Sequence, residues 1–152
     1  MNDFIFFGVL PYVVMAVFLI VTIQRYRMKA FSYSSLSSQF LENEQHFWGS
    51  VPFHYGILVV LFGHVLGFLL PNAILSWNAE PMRLMLLEVT GIAFAVLTLV
   101  GLTNIMLRRF RSRLARKVTT RGDWVVYLLL LVQVLTGIGV AVFHGWGSSW
   151  FA

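Results

Sequence analysis

Four stretches of this chain run for about twenty residues with little polar interruption. Phe4 to Ile23 carries no charge, and Val51 to Leu70 is polar only at His54 and His64. Leu84 to Leu107 is interrupted by Glu88 near its start, and Trp124 to Phe143 forms the last run. A helix needs roughly 20 apolar residues to cross the hydrocarbon core of a bilayer. The pattern therefore predicts an all-α, polytopic transmembrane helix bundle with four spans, making one transmembrane domain over residues 1–152. The spans leave no room for a soluble domain.

Helix breakers fall where spans should end. Pro52 is expected in the first turn of the second helix, where its missing N–H costs nothing. Pro71 should close that helix, Pro81 precedes the third, and Asp123 can cap the fourth. Pro11 lies inside the first span, as a kink or packing site. Trp77, Trp124, Trp146 and Trp150 fall at expected membrane interfaces.

Composition agrees. Only 11% of the 152 residues are charged, against about 25% in a soluble domain. That excludes a soluble enzyme, a disordered tail and a nucleic-acid module. Cysteine is absent, which removes disulfides, thiolate catalysis, iron–sulfur ligation and cysteine-bound zinc. Any metal or cofactor must be held by His, Met, Tyr or a carboxylate.

The net charge of +5 matters through its placement. Residues 24–50 hold three cations, Arg25, Arg27 and Lys29, whereas residues 71–83 hold only Arg83. Residues 108–123 hold seven: Arg108, Arg109, Arg111, Arg113, Arg116, Lys117 and Arg121. By the positive-inside rule, loops 24–50 and 108–123 face the cytoplasm and the N-terminus lies outside. The first span lacks a basic leading segment and is too long for a cleaved signal peptide. The chain is thus expected to be a multi-pass membrane protein.

Ionisable groups inside spans are costly and usually functional. His54, His64 and Glu88 qualify. The two histidines share one helix, ten residues apart, so they are separated by about 15 Å along the axis and about 80° around it. Two depths on one general side suit two stacked haems, because iron accepts a neutral imidazole and the macrocycle is apolar. Gly63 and Gly67, beside the second histidine, and Gly56, near the first, would let a flat ring approach the backbone. The competing reading is a pair of helix-contact histidines bonded across the bundle to Ser or backbone groups.

Other residues carry weaker signals. His144 is expected at the outer end of the fourth span, level with His64, as a sixth ligand there or an interfacial group bonded to water, and His46 as a solvated residue of the first loop. Arg83 is either a headgroup-snorkelling cation or a partner for a haem propionate or quinone oxygen near His64. Arg108 and Arg109 are expected to end the third helix inside, level with His54, where they could neutralise propionates or serve as helix-end topology charge. Gln133, Gly137 and Gly139 fit close helix packing.

The residues Pro11-Tyr12, Val17-Phe18, Arg25-Tyr26 and Ser37-Ser38-Gln39 belong to a wider pattern. So do Phe53-His54-Tyr55-Gly56-Ile57-Leu58, then Gly63-His64, Gly67 and Pro71, followed by Arg108-Arg109, Thr119-Thr120 and Gln133. With these the chain resembles, over nearly its whole length, the gamma subunit of respiratory nitrate reductase, a membrane cytochrome b. The resemblance implies five transmembrane helices in a bacterial or archaeal cell membrane, an outside N-terminus and two b haems stacked across the membrane. It matches His54 to a ligand of the inner haem and His64 to a ligand of the outer haem, where quinol is oxidised. Arg83 falls where that family has a quinol-linked lysine.

Electrons would pass from quinol through both haems to an iron–sulfur subunit, then to a molybdenum subunit that reduces nitrate to nitrite. The family's opposite axial histidines come from its fifth helix. This chain is expected to stop before that helix or to take those ligands from another polypeptide. The same cytochrome fold serving another quinone-linked reductase, or a haem-free membrane anchor, are the alternatives the residues leave open.

Overall fold

The structure is a computed structural model that describes residues 4–28 and 43–143, excepting the side chains at 7, 43–46, 114 and 118. Helices and short connections make up the described residues. They fall into two compact units, divided between positions 37 and 38.

The first unit is a single rod. Phe4–Val9 is wound as a π-helix and passes into α1, Leu10–Met28. Pro11 stands at that junction. Its missing N–H falls where the helical hydrogen-bonding pattern changes, which absorbs the kink the sequence predicts. The rod is apolar on all sides until Arg25 and Arg27 in its last turn.

The second unit contains α2 (Asn43–Leu69), α3 (Pro71–Asn78), α4 (Pro81–Arg111), α5 (Arg113–Val118) and α6 (Arg121–Phe143). Four helices, over Phe4–Met28, Phe47–Leu69, Pro81–Arg111 and Arg121–Phe143, are long and apolar enough to cross a membrane. Each outlasts its apolar run at one end or both, because helical hydrogen bonding continues into the polar turns at the span ends.

Three expectations are corrected here. Helix α2 begins at Asn43, so Pro52 is interior and position 46 is helical rather than in a loop. The second span does close at Leu69, ahead of Pro71 as the sequence predicts, and Pro71 opens α3, so that connection is itself largely helical. The cap of α6 is Thr120. Its Oγ1 accepts from Asp123 N at 3.2 Å while an Asp123 carboxylate oxygen accepts from Thr120 N at 2.8 Å, a reciprocal capping box. Asp123 therefore works from the first turn.

Helix α4 is the centre of the unit; α2, α3, α5 and α6 all pack on it. Close approach to α2 is made by glycine. A Cβ built on Gly101 would meet the backbone nitrogen of Phe53 and lie 2.7 Å from its Cα. One on Gly56 would collide with Thr98 Oγ1 and lie 2.7 Å from Thr98 N. One on Gly49 would come within 3.1 Å of Ile105. Steps forward along α2 are matched by steps back along α4, which fixes an antiparallel register. Leu102 is fully buried and Thr98 nearly so.

Pro52 has no N–H for the carbonyl of Trp48, four residues earlier. Asn104 of α4 supplies the bond instead, its Nδ2 donating to that carbonyl at 3.3 Å. Most other large apolar side chains face outward without protein cover. In water this would be untenable, whereas hydrocarbon makes it the favourable arrangement.

Candidate functional site

The candidate site is built on α2. His54 and His64 are both exposed and both tethered to their own helix. His54 Nδ1 lies 2.7 Å from the Ser50 carbonyl and 3.2 Å from Ser50 Oγ. His64 Nδ1 lies 2.7 Å from the Val60 carbonyl. A carbonyl oxygen can only accept, so each Nδ1 carries the proton and donates. In the neutral ring, Nε2 then bears the lone pair. This is the tautomer and tether that an iron-bound imidazole needs. Among the described residues neither ring bonds across to another helix. His54 also meets Phe53 edge to face, with ring centroids 5.3 Å apart.

The register with α4 puts His54 level with Val100 and His64 level with Thr90. The two levels differ in packing. Gly56 and Gly67 are eleven residues apart, about 20° around the helix, and so share a stripe. A Cβ on Gly56 has no room, yet a Cβ on Gly67 or Gly63 meets nothing within 4 Å. The helices are thus pressed together around Gly56, near His54, and open around Gly63 and Gly67, beside His64. Gly56 serves helix contact rather than ring approach; Gly63 and Gly67 do face open space.

The cations are placed as follows. Arg83 is exposed and its guanidinium lies over the Trp77 ring, 4.8 Å from the centroid. Arg108 and Arg109 are not level with His54, as expected, but lie eight and nine residues beyond it, about 12 Å along the axis, because the helix runs on past the apolar span. Arg109 Nη1 donates to Thr119 Oγ1 at 2.8 Å, and its guanidinium lies over Tyr127 at 5.3 Å. It joins α4 to α5 and α6. Glu88 is half-buried, level with Leu66.

Gln133, Gly137 and Gly139 lie on α6, and a Cβ on either glycine meets nothing within 4 Å. The two glycines make no close helix contact among the described residues. His144, Trp146, Trp150, Lys29 and Ser37-Ser38-Gln39 lie outside the described residues, as does the His46 side chain. No group of three metal-ligating side chains occurs among the described residues.

The sequence alone did not single out Ser50, Thr98, Asn104 or Tyr127. Ser50 could have been found, since it stands four residues before His54. Asn104 follows from Pro52 once the start of α2 is known. Nothing in the sequence alone pairs Arg109 with Tyr127.

The chain matches the family described as nitrate reductase gamma subunit over residues 3–152. It is 31% identical over 140 residues to the nitrate reductase gamma chain of Bacillus subtilis, covering 91% of this chain and 63% of that one. It is likewise 31% identical to the respiratory nitrate reductase 2 gamma chain of Escherichia coli, covering 91% and 62%. It is 34% identical to the nitrate reductase-like protein NarX of Mycobacterium tuberculosis, over 89% of this chain and 21% of that one. The chain spans about three fifths of the length of the first two relatives. By the extent of these matches, the chain belongs to the nitrate reductase gamma subunit family.

Proposed function

We propose that this chain is the haem-bearing, electron-transferring membrane part of a respiratory nitrate reductase. The observation that carries the reading is the pair of tethered histidines. His54 and His64 stand at two depths of one span, each with Nδ1 held by a backbone carbonyl and Nε2 turned outward. Each would hold one b haem through Nε2. Bound iron porphyrin supplies one-electron transfer in an apolar medium.

The chain's own residues provide the rest. The open space at Gly63 and Gly67 admits a flat ring beside His64. Arg83, stacked on Trp77 at the outer end, supplies positive charge for a propionate or a quinone oxygen. Arg108 supplies it at the inner end, and Arg109 braces the same corner through Thr119 and Tyr127.

The N-terminus lies outside and the Arg-rich connection inside. Quinol is oxidised near His64 and electrons leave near His54 for iron–sulfur and molybdenum subunits that reduce nitrate. A difference spectrum of the dithionite-reduced against the oxidised protein tests this. We expect a b-type band that falls by about half in His54→Ala and in His64→Ala and is lost in the double variant. A band unchanged by both substitutions overturns the proposal. Co-purification of a reductase specific for another acceptor would overturn the nitrate assignment alone.

A further inference from the structure

Between the last two spans the chain makes a compact basic corner. Arg113, Arg116 and Lys117 line one cleft of about 340 Å³. Their spacing of three and four residues puts them on one face of α5, where like charges repel. That arrangement is unfavourable unless an anion sits among them. The only acid in residues 108–123, Asp123, is committed to the Thr120 N–H.

The corner is also held in shape. Ser112 Oγ accepts from Ala115 N at 3.3 Å, and Ala115 is buried. Thr119 Oγ1 donates to the Ala115 carbonyl at 2.6 Å, and Arg109 donates to that hydroxyl. Arg116 donates to the carbonyl of Phe110.

That last bond ties the basic cleft to an apolar platform. The Phe110 ring packs on Trp124 with centroids 4.4 Å apart and planes tilted by 42°. Leu107, one turn earlier on α4, is exposed on the way into the span. Cations at the span end and an aromatic–aliphatic surface running into the hydrocarbon match an amphiphile with a phosphate at its head. Inorganic phosphate would use only the cations. A zwitterionic headgroup would bring its own ammonium into the cluster, so a net negative lipid fits better.

We propose that this corner is a specific site for one anionic glycerophospholipid. Arg113, Arg116 and Lys117 hold its phosphate, and one acyl chain lies along Leu107, Phe110 and Trp124. Attraction of this kind falls off within a Debye length, so the site acts on lipid at the membrane face.

The test is native mass spectrometry of the full chain extracted from vesicles of phosphatidylcholine with a minority of phosphatidylglycerol. The wild type should retain one phosphatidylglycerol. The triple variant R113Q/R116Q/K117Q should lose it by roughly tenfold or more. Phe110→Ala should weaken retention separately, and Arg121→Gln, at the first residue of α6 and outside the cleft, should not.

Equal retention by the wild type and the triple variant overturns the proposal. So does equal loss in Arg121→Gln, which would mean diffuse attraction. Displacement of the lipid by millimolar inorganic phosphate with no effect of Phe110→Ala would identify a free-phosphate site instead. Loss of an acidic protein subunit rather than lipid in the triple variant would identify a docking surface and also overturn it. Circular dichroism matched to wild type confirms that each variant keeps its helices.

Discussion

The Trp48 carbonyl shows how single residues decide this fold. Pro52 removes the donor that an uninterrupted helix would offer, and its ring crowds that same carbonyl. Asn104 restores the bond from the neighbouring span. Asn104→Leu should therefore lower stability in detergent by about 1 kcal/mol. Its cost should shrink when Pro52→Ala returns the internal donor. A double-mutant cycle by chemical denaturation measures that coupling, and strict additivity would count against the account.

The glycines make a second contrast. Gly101→Ala drives a methyl into the Phe53 backbone and should cost about 1–3 kcal/mol. Gly67→Ala meets nothing and should leave the helices as stable or slightly more so. If a haem lies beside His64, the same substitution should still reduce haem content. Measuring both melting and haem absorbance separates these effects.

The histidines were plain from the sequence, because an ionisable group in an apolar run stands out. Which glycines touch protein was not plain, since Gly56 and Gly67 look alike until the angle between two helices is known.

At the scale of elements, spans were legible and their ends were not. Apolar length sets where hydrocarbon is crossed. Where the helix stops depends on capping and on polar turns that carry no hydropathy signal. Thr120 and Asp123 illustrate this, for only the reciprocal bonds tell which residue is the cap. The six residues of α5 could not be read as a helix by periodicity, being too short.

That short helix depends on Ser112 and Arg109. Ser112→Ala removes the cap and should cost about 1 kcal/mol. Arg109→Ala removes a charged hydrogen bond and should cost about 1–3 kcal/mol. Hydrogen exchange should accelerate in residues 113–119 for both variants while the centre of α4 stays protected. Uniform acceleration along α4 would contradict a local role.

For the whole molecule the most informative sequence feature was charge asymmetry. It yields an orientation that helix geometry by itself does not contain. The chain has no cysteine, so single introduced thiols report sidedness without background. Ser76→Cys should react with an impermeant maleimide added to intact cells, and Ser112→Cys only after permeabilisation. The reverse pattern would invert the proposed direction of electron flow.

The glycine contacts between α2 and α4 have a mechanical consequence. They act as a fulcrum at one end of a pair of levers. From Gly56 to Gly67 the lever arm is about 16 Å, so a few degrees of pivoting changes the gap beside His64 by an ångström or more. The surroundings of His54, next to the fulcrum, hardly move. One histidine therefore sits in a stiff setting and the other in a compliant one that can fit itself to whatever it grips.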